Sequence, residues 1–178
     1  MHNTLYWIII ALVTVNYLFG AWLQILSARA SKKAIPKVLE GLYDEEKYAT
    51  QQSYFRINNK LEFMKSSVKT LITLAFFALG GLAWLDSIAR GFSAKPVLTA
   101  LCFYAILYVI DFLVELPFTI YETFVVEQQY GFNKTTPKLF VGDEIKSFLI
   151  NALLNAGLLA LCVWEFTLTP QWFWLIAW

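Results

Sequence analysis

The side chains able to do chemistry in this 178-residue chain are few, and most are carboxylates. The one histidine, His2, sits beside the terminus. No HExxH zinc motif, GxSxG nucleophile elbow or phosphate-cradling Walker loop occurs. A Ser/His/Asp or Cys/His arrangement cannot be assembled around His2. Cys102 and Cys162 stand alone in long apolar runs and read as small buried hydrophobes. We therefore expect no catalytic residue and no metal ligand within these residues. Asp111 and Glu115 lie at i and i+4, and Glu122 follows seven residues on, along roughly one helical face. Carboxylates inside a lipid-embedded helix are costly and face a water-filled cavity or a partner. They could line an acidic chamber, relay a proton or cation, or simply be solvated at the interface if Pro117 marks the membrane exit. The interfacial reading suits Glu115 and Glu122, and the cavity reading suits Asp111. Two or three such groups could hold Mg²⁺ or Ca²⁺, but the full oxygen shell is not visible in the sequence. Asn151 and Asn155, also i and i+4, could hydrogen-bond across to Asp111 or its neighbours, or act as packing contacts between helices. Gly80-Gly81 suggests a close helix approach.

These groups sit in a chain built for lipid. It is 58% hydrophobic and 15% charged, where a soluble domain averages about 45–50% and about 25%. Aromatics reach 17% with seven Trp, a composition that suits anchoring at bilayer interfaces. Four apolar segments, about 5–26, 68–88, 97–116 and 148–168, each approach the ~20 residues a helix needs to cross the hydrocarbon core. Helix is required because lipid leaves open strand edges unpaired. The expected fold is all-α: a polytopic helical membrane protein with four transmembrane helices, in one domain spanning 1–178. A further apolar stretch from Gln171 to Trp178 is too short to cross, and reads as an interfacial tail or the interrupted start of a fifth helix. The first segment reads as an uncleaved anchor, although Ala28-Arg29-Ala30 mimics a cleavage site. No Lys or Arg precedes it, and it is longer than a signal core.

Lys and Arg number nine from Arg29 to Lys69, which lies just inside the second segment, two between the second and third segments, and three between the third and fourth. That bias places the N-terminus outside or in the lumen and both long loops in the cytoplasm, in a bacterial inner membrane or the endoplasmic reticulum. The net charge of +1 offers no pull on nucleic acid. Both long loops are expected to carry amphipathic helices; in the first, the pattern fits equally a helix docked near the membrane or a solvated helix that merely joins two spans. In the first, Pro36 breaks the chain, Asp44 is an N-cap, and Glu45 and Glu46 suit a first turn. In the second, helical periodicity runs past Pro117 to about Gln129. Gly131 ends it and Thr136-Pro137 begins the next helix. Leu139, Phe140 and Ile145 would then face apolar surroundings, with Asp143, Glu144 and Lys146 toward water.

The second loop also carries a pattern. It comprises Leu116-Pro117-Phe118, Tyr121, the run Thr123 to Glu127, and Tyr130-Gly131-Phe132-Asn133-Lys134-Thr135-Thr136-Pro137. Phe140, Asp143 and Ile145-Lys146-Ser147 complete it. This stretch resembles the N-terminal membrane region of the type I CAAX prenyl proteases, a family of integral-membrane zinc metallopeptidases. Glu127, Gly131, Phe132, Asn133, Lys134, Pro137, Asp143 and Lys146 carry most of the resemblance. A weaker match covers Tyr48 to Tyr54 and Lys60-Leu61-Glu62-Phe63. The resemblance implies that these helices form part of the wall of a large intramembrane chamber. It implies zinc-dependent cleavage of a peptide bond near the C-terminus of prenylated CAAX substrates. The family's zinc ligands and general base lie in an HExxH helix and a later Glu, past the fifth span. None of those positions exists here, so none is carried over. Zn²⁺ is expected in the full-length parent, and the partners implied are the bilayer, a C-terminal catalytic part and a peptide or prenylated substrate. Two other functions fit the residues: a non-enzymatic membrane scaffold, or a small transporter with Asp111 and Glu115 as a relay.

Overall fold

The computed structural model describes residues 4–31 and 44–171. His2, Pro36 and the stretch 172–178, where a fifth helix is expected, lie outside the described residues. All five long elements are α-helices: α1 (Thr4–Ala30), α2 (Glu45–Ala78), α3 (Gly81–Phe92), α4 (Pro96–Tyr121) and α5 (Pro137–Leu168). A π-helical stretch, Glu122–Glu127, extends α4.

Local chemistry accounts for most of the ends. Asp44 Oδ1 accepts from the backbone N–H of Glu46 at 3.0 Å and of Lys47 at 3.4 Å, so the expected N-cap forms. The helix that it starts is not a separate amphipathic piece. It continues for 34 residues into the apolar stretch. That stretch, expected as one helix over 68–88, is divided at Leu79-Gly80. Gly80 takes φ 73, a left-handed conformation that glycine adopts without a Cβ penalty. No heavy atom lies within 4 Å of where its Cβ would stand, so Gly80 serves the break and not a close helix approach. Neither piece passes as a span alone; α2 and α3 qualify together, as a broken pair. The other three candidate spans are Thr4–Ala30, Pro96–Glu127 and Pro137–Leu168.

Pro117 does not stop α4. The helix runs through it, and the π-helical stretch follows within a turn and a half. Proline removes one backbone donor and crowds the preceding turn, and a wider i→i+5 ladder is one way to absorb such a disturbance. Gly131 then ends the helix at φ 73, as its position predicts. The N–H groups of Phe132 and Asn133 return to the Glu127 carbonyl at 2.9 and 3.2 Å. Thr136 Oγ1 accepts from Leu139 N at 3.3 Å, with Pro137 as the first helical residue of α5. The apolar segment 148–168 is thus the later part of a 32-residue helix. Of the three side chains expected to face apolar surroundings at its start, Phe140 is buried, while Leu139 and Ile145 are 55% and 54% exposed.

The chain forms two compact units: Met1–Ala78 with Glu115–Lys134, and Leu79–Val114 with Thr135–Trp178. In the first, α1 and α2 pack antiparallel. Tyr6 meets Phe77, Tyr17 hydroxyl bonds Ser67 Oγ at 2.8 Å, and Asn59 Nδ2 donates to the Gln24 carbonyl at 3.0 Å. In the second, α4 and α5 meet through Tyr108. Its hydroxyl donates to the Phe148 carbonyl at 3.1 Å and its ring stacks on Phe148 at 4.8 Å. Apolar side chains such as Leu12, Val15, Leu153 and Leu154 stay exposed all along α1 and α5. In water that surface would drive aggregation; in a bilayer it is the lipid contact.

Candidate functional site

The register of α1 against α2 sets the depth of the polar groups. Ser67 is bonded to Tyr17, the middle residue of α1. The part of α2 that runs beside α1 is therefore about 59–77, earlier than the segment expected from apolarity. Lys65 and Lys69 flank Ser67 and so lie level with the middle of a spanning helix.

At that level a charged cluster joins α2 to α4. Lys69 Nζ donates to Glu115 Oε2 at 3.0 Å. Lys65 Nζ stands 3.7 Å from Glu115 Oε1 and also pairs with Glu62, one turn earlier on its own helix. Glu122 lies within electrostatic range of Lys65, Glu62 and Glu115. Their side chains are not sealed: Lys65 is 20% exposed, Lys69 33% and Glu115 41%. Charges at this depth need either a partner or water, and these have partners. Glu115, expected as a solvated interfacial group, is partly exposed and clasped by two ammoniums, which is poor geometry for a freely exchanging relay.

The remaining candidates fall elsewhere. Asp111 is exposed on α4, within electrostatic range of Tyr108 in the second unit. Asn151 Nδ2 donates to Ser147 Oγ at 3.2 Å, and Asn155 Nδ2 to the Asn151 carbonyl at 2.8 Å. Both amides spend these bonds along their own helix and make no bridge to Asp111. Among the described residues no three His, Cys, Asp or Glu side chains gather as a metal-ligand set.

The pattern in the second loop acquires a structural role. Phe132 packs edge-on against Tyr54 at 4.9 Å, and Tyr130 against Tyr54 at 5.3 Å. Tyr130 hydroxyl bonds Ser53 Oγ at 2.7 Å. The strong and the weak blocks of the resemblance thus meet, Gly131 turning the chain so that both rings reach α2. Glu127 contributes its backbone carbonyl to the turn. Asn133 is half-buried and Lys134 exposed, while Pro137, Asp143 and Lys146 are exposed on α5 in the other unit. Sequence reasoning missed Lys65, Lys69 and Ser53-Tyr54 as site residues. The spacing Glu62, Lys65, Lys69 marks one charged helical face, but nothing in it names Glu115 as the partner.

Beside this cluster, Ile57, Lys60, Leu61 and Met64 of α2 and Pro117, Phe118 and Tyr121 of α4 line a cleft of about 470 Å³.

Residues 24–178 match a family described as CAAX prenyl protease N-terminal, five membrane helices. A CAAX prenyl protease 1 homolog of Oryza sativa subsp. japonica is 31% identical over 160 residues, covering 85% of this chain and 38% of that protein. A probable CAAX prenyl protease 1 of Schizosaccharomyces pombe is 32% identical over 132 residues, covering 67% of this chain and 28% of its own length. The crystal structure of S. mikatae Ste24p superposes with a TM-score of 0.86 at 27% identity, over 97% of this chain and 42% of that one. The chain therefore spans well under half the length of these relatives.

Proposed function

Because this chain belongs to the CAAX prenyl protease N-terminal family, we propose that it forms part of the wall of an intramembrane chamber enclosing the substrate of a zinc metalloendopeptidase. The substrate is a membrane-associated peptide of the prenylated CAAX type. One observation carries the reading: the cluster Glu62–Lys65–Lys69–Glu115 sits level with the middle of α1 and is partly exposed at the protein surface. Ion-paired side chains at that depth would be costly against hydrocarbon and suit a water-filled interior. The likeness to Ste24p over nearly the whole chain supports the same role.

Among the described residues no three Asp, Glu or Cys side chains gather into a ligand set for a zinc ion. No bond-breaking step is assigned to this chain; its part is to enclose substrate and keep charged groups off lipid. The metal and the nucleophilic water belong to other segments of the full-length protein. The Lys and Arg bias further supports an N-terminus outside or in the lumen, with both long loops cytoplasmic.

Two measurements on the full-length protein in liposomes test this. Cleavage of a prenylated CAAX peptide should be lost on chelation and restored by Zn²⁺. Lys65→Cys, in a background with Cys102 and Cys162 replaced by Ala, should react with a charged, membrane-impermeant thiol reagent. A zinc-loaded protein that leaves the peptide intact overturns the protease reading, and an unreactive Cys at 65 overturns the chamber.

A further inference from the structure

The cleft between α2 and α4 has a composition that the charged cluster does not explain. Its floor is apolar, from Leu61, Met64, Pro117 and Phe118, and its volume of about 470 Å³ lies within the range of about 300–1,000 Å³ typical of small-molecule sites. Lys60 lines it, and Arg56 stands one turn earlier on the same face of α2. Both cations are exposed, and among the described residues neither has an ion-pair partner. Of the carboxylates on these helices, Glu62 is paired with Lys65 and Glu115 with Lys69, while Glu122, beside Tyr121, lies within electrostatic range of Lys65. Tyr121, exposed along one edge of the cleft, can add a phenol donor.

Depth decides what such a site takes. Asn59 is bonded to Gln24 near the end of α1, so Arg56 and Lys60 lie level with its last turns, where the apolar run ends and Arg29 follows. That is the height of a lipid headgroup. From Lys60 the cleft runs toward Met64, in the direction of Ser67 and the middle of the helix pair. A ligand filling it needs an anionic head at the interface and an apolar tail pointing into the membrane.

We propose that this cleft is a binding site for an anionic membrane phospholipid, its phosphate held by Lys60 and Arg56 and one acyl chain laid against Leu61, Met64 and Phe118. The site stands apart from the protease reading and does not depend on it. Its physical basis is the attraction of juxtamembrane cations to anionic headgroups combined with burial of hydrocarbon.

The test uses the full-length protein in neutral detergent, titrated with phosphatidylglycerol, phosphatidylcholine and inorganic phosphate, with bound lipid counted by native mass spectrometry. Phosphatidylglycerol should bind in preference to phosphatidylcholine, and inorganic phosphate should compete poorly because it lacks the tail. Each lost cation should weaken phosphatidylglycerol binding about five-fold, so Arg56→Gln/Lys60→Gln together should weaken it roughly 25-fold. Lys60→Arg should retain binding, which separates charge loss from misfolding. Met64→Trp, at a half-exposed position, leaves the charges intact and should block the tail. Equal binding of the two lipids overturns the proposal, as does full binding by the double variant or by Met64→Trp. Complete competition by inorganic phosphate would also overturn it, by showing a bare anion site.

Discussion

Removing the Lys69–Glu115 contact should cost stability in a way that a double-mutant cycle can isolate. At an effective dielectric of about 20 and charge centres about 4 Å apart, the gross attraction is about 4 kcal/mol. The side chains are 33% and 41% exposed, so lost hydration and side-chain entropy offset most of it. A coupling of about 1 kcal/mol remains, at the top of the range for exposed pairs and well below the about 3–5 kcal/mol of a broken buried pair. Lys65 stands farther from Glu115, at 3.7 Å, and has Glu62 as well, so its coupling to Glu115 should be about 0.3 kcal/mol. The variants are Lys69→Met, Glu115→Gln and their combination, with a parallel cycle for Lys65→Met. The assay is denaturant unfolding of the full-length protein in mixed micelles, at low and high salt. Lys69→Glu, which faces one carboxylate with another, should destabilise more than Lys69→Met. A Lys69 coupling indistinguishable from zero, or a larger one for Lys65, would refute the arrangement of the cluster.

Three further outcomes follow from packing. Tyr130→Phe should cost about 1 kcal/mol by leaving Ser53 without its 2.7 Å partner, and nothing further in a Ser53→Ala background. Gly131→Ala should cost about 1–2 kcal/mol, because φ 73 places a Cβ in the left-handed region; Gly131→Asn should recover part of that, and equal stability of Gly and Ala would sink the turn. Leu85→Ala, at a fully buried position of α3, should lower the unfolding midpoint by the equivalent of about 2–5 kcal/mol, against under 0.5 kcal/mol for Leu79→Ala at 86% exposure.

Much of the fold was legible because its causes are local. Apolar length marked the spans, and Asp44, Gly131 and Thr136-Pro137 marked helix ends through caps and turns that involve only the next few residues. The periodicity read past Pro117 also held, since α4 passes through that residue. The same local rules failed at one place. Apolarity alone assigned the second crossing to 68–88, whereas pairing with α1 moved it toward 59–77 and broke the remainder at Gly80.

From residue types and spacing alone, the sequence determined the class of protein, its resemblance to a protease membrane domain, and a shortlist of polar groups. Tertiary structure decided which of them meet. Glu115 finds Lys69, 46 residues away, and Tyr130 finds Ser53, 77 residues away, while Asn151 and Asn155 turn back onto their own helix. The reason is geometric: spacing fixes which face of a helix a side chain occupies, but the rotation and axial register of one helix against another follow from all their contacts together. Only the packing of α2 against α4 shows that the partners of Glu115 are Lys69 and Lys65.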